Sequence, residues 1–346
     1  NLLEDVALID TLQSSKETSD EVKQALDQAE ITMKKIDDTR EQFRQCGRTA
    51  SILFFVLNDL VKIDPMYQFS LDWYKALFQR SIEESREQMF QDRYKSITKY
   101  HTLLVYKTAC RSLFEKHKIL LSMQMCIKLQ MAEGLIDEAE WNFFLRGGQV
   151  LDRSTQPEKP PFDWITPQAW DNVCELEKAL PATFTGISNA VALSPKDWQR
   201  WYLSVKPAPP ESAQLPGEWE TKCEDRLKKM IVLRCFRTDR VMLAIRNYVE
   251  HFMKKEFIEN RPTILKEVME TSRASEPIIF VLSPGVDPAD GLRRLADAAD
   301  RPFEAISMGR GQSERAKRIL SEGAEQGSWV FLANCHLSVS LLPELE

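Results

Sequence analysis

Hydrophobic positions near the start of the chain recur at intervals of four and three. Val22, Leu26, Ala29, Met33 and Ile36 are spaced 4, 3, 4 and 3, and Phe43 lies one heptad after Ile36. Lys, Glu, Asp and Gln fill the other positions. Such a repeat puts the apolar side chains on one stripe of a helix and predicts a coiled-coil seam. Residues 1–44 therefore read as one long helix, with a weak point at Ser14-Ser15. After Gln45-Cys46-Gly47-Arg48 the pattern resumes with Thr49, Leu53, Val56, Leu60 and Ile63, again at 4, 3, 4 and 3. Gly47 has the freedom to adopt a left-handed turn. The expectation is an antiparallel helical hairpin over about residues 16–62. Two ordinary bundle helices are the alternative.

Asp64-Pro65 stops or kinks the second helix. Leu71, Tyr74, Leu77, Phe78, Ile82 and Met89 predict a helix over about 67–98, and a Leu- and Met-rich one follows at 103–131. The methionines suit core packing, with a partner-helix surface as the other use. A short helix from Glu138 to Leu145 is stopped by Gly147-Gly148. Residues 152–167 are rich in Pro and polar residues and read as a linker. Helices are expected at about 168–180, 185–192, 195–203, 218–235 and 238–257, with a Pro-rich connector from Lys206 to Gly217.

The pattern then changes. Ile278–Leu282, Glu304–Ser307 and Trp329–Ala333 are short apolar strand candidates, separated by helical stretches at about 288–300 and 312–326. Strand-helix-strand alternation predicts a parallel sheet. The fold class is mainly α with a C-terminal α/β portion.

Composition narrows the picture. Of 346 residues, 43% are hydrophobic and 28% charged, as in a soluble globular protein, and the length suffices for two domains. A net charge of −6 argues against a general nucleic-acid binder. No apolar run approaches the length of a membrane span. Seven scattered cysteines without a Cys-x-x-Cys pair fit reduced thiols, and four scattered histidines give no metal-ligand spacing. A terminal predicted strand without a layer beyond it suggests a piece of a longer polypeptide.

The candidate chemistry lies in the α/β portion. The run Pro277–Leu282 breaks into Ser283-Pro284-Gly285-Val286-Asp287-Pro288, the layout of a phosphate-binding loop. It has no Lys to reach a phosphate, two prolines without N–H groups, and an Asp that would repel the anion. The later strand ends in Asn334-Cys335-His336, where a nucleotidase would place its acidic magnesium partner. Asn carries no charge and Cys is a poor base at its usual pKa. The expectation is a nucleotidase scaffold without its chemistry. An unusual nucleotidase using His336 or Asp287, and a passive helical scaffold, are the alternatives. Gly309-Arg310-Gly311-Gln312 lacks the third glycine of a dinucleotide fingerprint and reads as a loop before a helix. Arg234, Arg237 and Arg240 are read as salt-bridge partners of Asp239 and nearby acids rather than as residues reaching a neighbour's nucleotide.

These residues together resemble a dynein heavy chain. Ser15-Lys16, Ala29-Glu30-Ile31-Thr32, Ile36-Asp37-Asp38-Thr39-Arg40, Ser51-Ile52-Leu53-Phe54-Phe55 and Ile63-Asp-Pro-Met-Tyr-Gln-Phe-Ser-Leu71 look like the helical lid of the fifth AAA+ module and its coiled-coil strut. Glu140-Trp-Asn-Phe-Phe-Leu-Arg-Gly147 resembles the later part of that lid. Phe280-Val-Leu-Ser-Pro-Gly-Val-Asp-Pro288, Gly309-Arg-Gly-Gln312 and Trp329-Val-Phe-Leu-Ala-Asn-Cys-His-Leu337 look like the degenerate nucleotide loops of the sixth module. The form Ile63-Asp-Pro-Met-Tyr-Gln68 points to the axonemal branch. Family members often carry a proline near Cys46, Gly-Gln-Gly near Gly309, and a proline where this chain has Thr238.

The resemblance implies three parts: a lid with its strut over 1–155, a linker with helices over 156–276, and an incomplete sixth-module core over 277–346. It implies a non-catalytic part of a microtubule motor ring. ATP and magnesium would bind elsewhere in the parent chain, with no cofactor in this segment. The strut would push on the microtubule-binding stalk, with Val22, Leu26, Ala29, Met33, Ile36, Phe43, Leu53, Val56 and Leu60 as its seam. Arg40, Phe43 and Arg44, near the expected hairpin tip, would be stalk contacts. Implied partners are the rest of the heavy chain, accessory chains, and the microtubule through the stalk alone. Nucleic acid and membrane are not among them. The implied location is the cytoskeleton, in a ciliary or flagellar axoneme, with the cytoplasm as the alternative.

Overall fold

A computed structural model of the chain describes residues 6–85, 93–148, 156–204, 214–259, 264–272, 276–309 and 311–344. They divide into two units, Asn1–Asn260 and Arg261–Glu346.

The first unit is helical. Its longest element, α1 (Val6–Asp59), runs through the expected hairpin turn without interruption. The hairpin expectation is therefore corrected. Gly47 sits inside the helix, and a Cβ placed there would meet nothing within 4 Å. One glycine costs a helix only about 1 kcal/mol relative to alanine, too little to break it when both sides are held. They are held: Cys46 Sγ bonds to the Tyr94 carbonyl at 3.1 Å, and Arg48 donates to the Ala132 carbonyl at 3.1 Å. Nor is there a break at Ser14-Ser15. A 3-10 turn at Leu60–Lys62 then ends the helical run before Asp64-Pro65.

Helices α2 (Leu71–Glu84), α3 (Arg93–Cys110) and α4 (Glu115–Ala132) pack with the C-terminal part of α1. The predicted helices 67–98 and 103–131 thus have different limits, and Met89 lies outside the described residues. Ser70 caps α2 by accepting from Trp73 N. Ala50, Leu53, Val56, Leu57 and Leu60 join Leu121, Met125 and Ile127 in one buried core. A polar network locks this corner. Tyr74 Oη donates to the Ala50 carbonyl at 2.6 Å and lies 2.8 Å from His101 Nε2. Ser81 Oγ lies 2.9 Å from His101 Nδ1.

The core continues through α5 (Glu138–Arg146), α6 (Pro167–Ala179), α7 (Pro181–Phe184), α8 (Ile187–Leu193), α9 (Pro195–Ser204), α10 (Trp219–Lys222), α11 (Arg226–Phe236) and α12 (Val241–Met253). The predicted 218–235 helix divides because Asp225 caps α11, accepting from Leu227 N. The predicted 238–257 helix stops at Lys254, whose φ of 77° is incompatible with helix. Tyr248 Oη on α12 donates to Gln130 on α4, and Ser122 Oγ donates to the Phe257 carbonyl. Lys228 on α11 faces Glu140 on α5 at 3.6 Å. The helices before and after residues 152–167 therefore share one interior.

The second unit holds α13 (Leu265–Thr271), α14 (Ala289–Ala298), β1 (Phe303–Ser307), α15 (Ser313–Gln326) and β2 (Trp329–Ala333). The two strands pair in parallel, Phe303 opposite Trp329 through Ser307 opposite Ala333. Helix α15 is the crossover that a parallel pair requires. It approaches β2 closely: a Cβ on Gly323 would fall 2.7 Å from Val330. Two of the three expected strands are present. The third, Ile278–Leu282, is irregular, with Ile279 83% and Val281 62% exposed. An extended run becomes a strand only where a neighbour satisfies its N–H and C=O groups. Among the described residues, β1 and β2 pair with each other alone.

Candidate functional site

Two places could carry function: the strand ends of the second unit and the projecting half of α1.

At the strand ends the polar groups are turned inward on the protein itself. Asn334 follows β2 in a left-handed conformation, φ 57°, and its Nδ2 donates to Ser307 Oγ at 3.1 Å. It ties the end of β2 to the end of β1. Met308 N extends the ladder to the Ala333 carbonyl at 2.8 Å. Cys335 Sγ is directed at the Leu332 carbonyl, 3.2 Å away. The expected loop makes local bonds: Val286 N donates to the Ser283 carbonyl, and Gly285 takes φ 84°. Asp287 Oδ1 accepts from Ala289 N at 2.9 Å, so the carboxylate occupies an amide at the start of α14 that an anion would need. Ser283, Pro284, Gly285 and Asp287 are exposed, as is His336. Among the described residues no group of His, Cys, Asp and Glu is placed to hold a metal ion. Asn334 meets Ser307, a partner that sequence reasoning missed. Ser ending one strand and Asn ending the next was the available signal.

The arginines near 237 are engaged. Arg237 makes two hydrogen bonds to Asp239, at 2.8 and 2.7 Å, and one to the Tyr202 carbonyl. They hold the Asp239 carboxyl below its ordinary pKa. Arg240 also faces Asp239, and Arg234 donates to the Leu145 carbonyl at the end of α5. Arg310 lies outside the described residues.

The seam residues split into two groups. Leu53, Val56 and Leu60 are at most 3% exposed and belong to the core of the first unit. Val22, Leu26, Met33 and Ile36 are 58%, 56%, 65% and 48% exposed, and Ala29 is exposed too. Phe43 is half-buried, where α1 enters the body. Arg40 and Arg44 pair with Asp37 and Glu41 one turn before them, at 3.3 and 3.2 Å. No hairpin tip exists there, so their expected position is corrected: they stand at the root of an arm. From Asp10 to Glu41 the side chains are exposed except at Thr39. That length corresponds to roughly 50 Å of helix. No helix among the described residues is long and apolar enough to cross a membrane.

Known proteins are similar to this chain in sequence. Residues 273–346 match the family described as dynein heavy chain region D6 P-loop domain. The whole chain aligns with mouse dynein axonemal heavy chain 2 at 46% identity. It aligns at the same identity with the dynein-1-beta heavy chain of the flagellar inner arm I1 complex of Chlamydomonas reinhardtii. Mouse dynein axonemal heavy chain 1 matches at 38%, also over the entire chain. The chain spans about 8% of the length of each of these relatives. Along its whole length the chain belongs with the dynein heavy chains, as a segment of the axonemal type that ends in the D6 P-loop region.

Proposed function

We propose that this segment is a non-catalytic part of a dynein motor ring, passing ATP-driven ring movement to the microtubule-binding stalk. The parent chain is an ATPase whose hydrolysis site lies elsewhere, and the setting is a ciliary or flagellar axoneme, where the motor drives beating. The observation that carries this reading is the apolar stripe Val22–Ile36, exposed on an arm of α1 whose other half is buried in a helical body. A helix anchored in a packed core transmits displacement because bending it strains its hydrogen-bond ladder. The body would move the arm, and the stripe would bear on the stalk. Accessory chains and neighbouring ring modules are the other proposed contacts.

The polar arrangement at Asn334 and Asp287 supports the non-catalytic half of the reading. Each group is spent on a neighbouring protein atom. No ATP or magnesium is proposed to bind here.

The test uses the intact motor. Ile36→Asp puts a charge in the stripe without touching the core, so folding should be preserved. The expected result is lowered microtubule-stimulated ATPase with unchanged basal turnover. Full stimulation in both Ile36→Asp and Met33→Asp would overturn the lever. Leu53→Asp does not serve this purpose, because Leu53 is fully buried and its loss would unfold the body.

A further inference from the structure

Helix α12 stops at a residue whose own chemistry gives no reason to stop. Lys254 has φ 77° and ψ 169°, a region that belongs almost solely to glycine. The run Lys254-Lys255-Glu256-Phe257 contains no Gly or Pro, and Lys and Glu are good helix formers. The strain is imposed from outside the turn. Phe257 is 7% exposed, and its ring lies 5.0 Å from that of Tyr106 on α3. Its carbonyl accepts from Ser122 Oγ on α4 at 2.6 Å. A 3-10 turn over Lys255–Phe257, closed by Phe257 N on the Lys254 carbonyl, carries the ring there.

Helical geometry shows why α12 cannot both continue and bury this ring. The buried side of α12 is Ala244, Ile245, Tyr248 and Val249. At about 100° per residue, a helix continued past Met253 would point Phe257 about 150° away from the middle of that side. Docking the ring therefore requires the helix to break, and the break falls at Lys254. One residue held in a glycine-only conformation costs about as much as burying one phenylalanine gains. The docked turn and the continued helix are thus close in free energy, as a bistable element requires.

We propose that Lys254–Phe257 is a two-position latch. Docked, Phe257 is clamped by Tyr106 and Ser122 while Lys254 is strained. Released, the ring leaves the core, Lys254 relaxes, and α12 runs on through Phe257, about 6 Å longer. The latch stands just before the chain passes into the second unit at Arg261, so release moves the point at which the first unit hands the chain on. A segment that passes movement along would use such a joint, but the latch is independent of the strut and is tested in the motor at rest.

The test reads the opening directly. Ser122 is fully buried and bonded to the docked turn. Ser122→Cys in the intact motor therefore places a thiol that a soluble maleimide reaches only when Phe257 leaves. Labelling at position 122 is followed by fragment mass spectrometry, with Cys174, buried on α6, reporting general unfolding. Where reclosing outpaces labelling, the rate follows the released population. Adding Lys254→Gly removes the strain of the docked turn and weakens the continued helix, so labelling at 122 should slow at least about tenfold. Adding Lys254→Ala keeps the strain and the helix propensity, and should leave the rate within about twofold. Labelling of Cys174 should be the same in both. Equal rates at 122 in the Gly and Ala variants, or a parallel change at Cys174, would mean that position 122 opens by general unfolding and would overturn the latch. A silent Ile36→Asp removes the strut and leaves these rates as they are, so the two readings fail separately.

Discussion

The two halves of α1 carry nearly the same sequence pattern and have opposite fates. From Ala50 to Leu60 the core-facing positions Ala50, Leu53, Val56, Leu57 and Leu60 are at most 7% exposed. From Val22 to Ile36 about half of each large apolar side chain meets solvent. The pattern specifies a face and a period, and both are present in each half. What differs is supply: α2, α3 and α4 lie against the packed half, and no described element covers the other. An amphipathic stripe without an internal partner is thus the informative half for function, since an exposed row of large apolar residues is a cost a chain keeps for an interface.

The sharpest way to break this comparison is to place the same change in each half. Leu53→Asp buries an unpaired charge in the core and should abolish cooperative unfolding, a loss of at least about 4 kcal/mol. Ile36→Asp should shift stability by no more than about 0.5 kcal/mol. Thermal unfolding of the two variants checks both, and similar losses would mean that the halves are packed alike.

Acid should act on the packed region through His101. His101 is buried between Tyr74 and Ser81, and burial lowers its pKa from 6.5 to about 4. The unfolded chain therefore takes up this proton first. The stabilisation is complete above about pH 6.5 and is lost as pH falls toward 4, about 3 kcal/mol in all. His101→Phe should flatten that part of the pH profile, since Tyr74 keeps the Ala50 carbonyl as its acceptor. Unfolding curves between pH 7 and 4.5 would show it.

A smaller effect separates a continuous helix from a hairpin. Gly47→Ala should stabilise the chain by about 0.5–1 kcal/mol, because the site is helical and has open space for a Cβ. A glycine serving a left-handed turn would give a loss instead. Smaller still, Asn334→Ala should cost about 1 kcal/mol in the second unit, by removing the bond to Ser307 and the residue best suited to the left-handed position.

Much of the architecture was legible in the sequence. Helical periods located most of the helices, and the runs at 304–307 and 329–333 became paired strands. The reading of the Ser283–Pro288 loop as degenerate rests on chemistry alone, since a Lys-free turn with two prolines has little to offer a phosphate. Two features were not legible. Gly47 suggested a turn, but the ties of Cys46 and Arg48 to distant residues decide for helix, and no local signal contains them. The run Ile278–Leu282 has strand composition, but composition does not show whether a neighbouring strand is present to pair with it. In both cases the missing information is long-range contact. The same holds for Asn334, whose partner Ser307 sits one crossover away.

The central claim, that α1 is one uninterrupted arm, is tested most directly by a distance. Spin labels at Gln28 and Val61, both exposed, would be measured by double electron–electron resonance. A continuous helix predicts a separation of about 50 Å. A hairpin turning at Gly47 would bring the two positions side by side, within about 10–20 Å, and that result would contradict the arm and the account built on it.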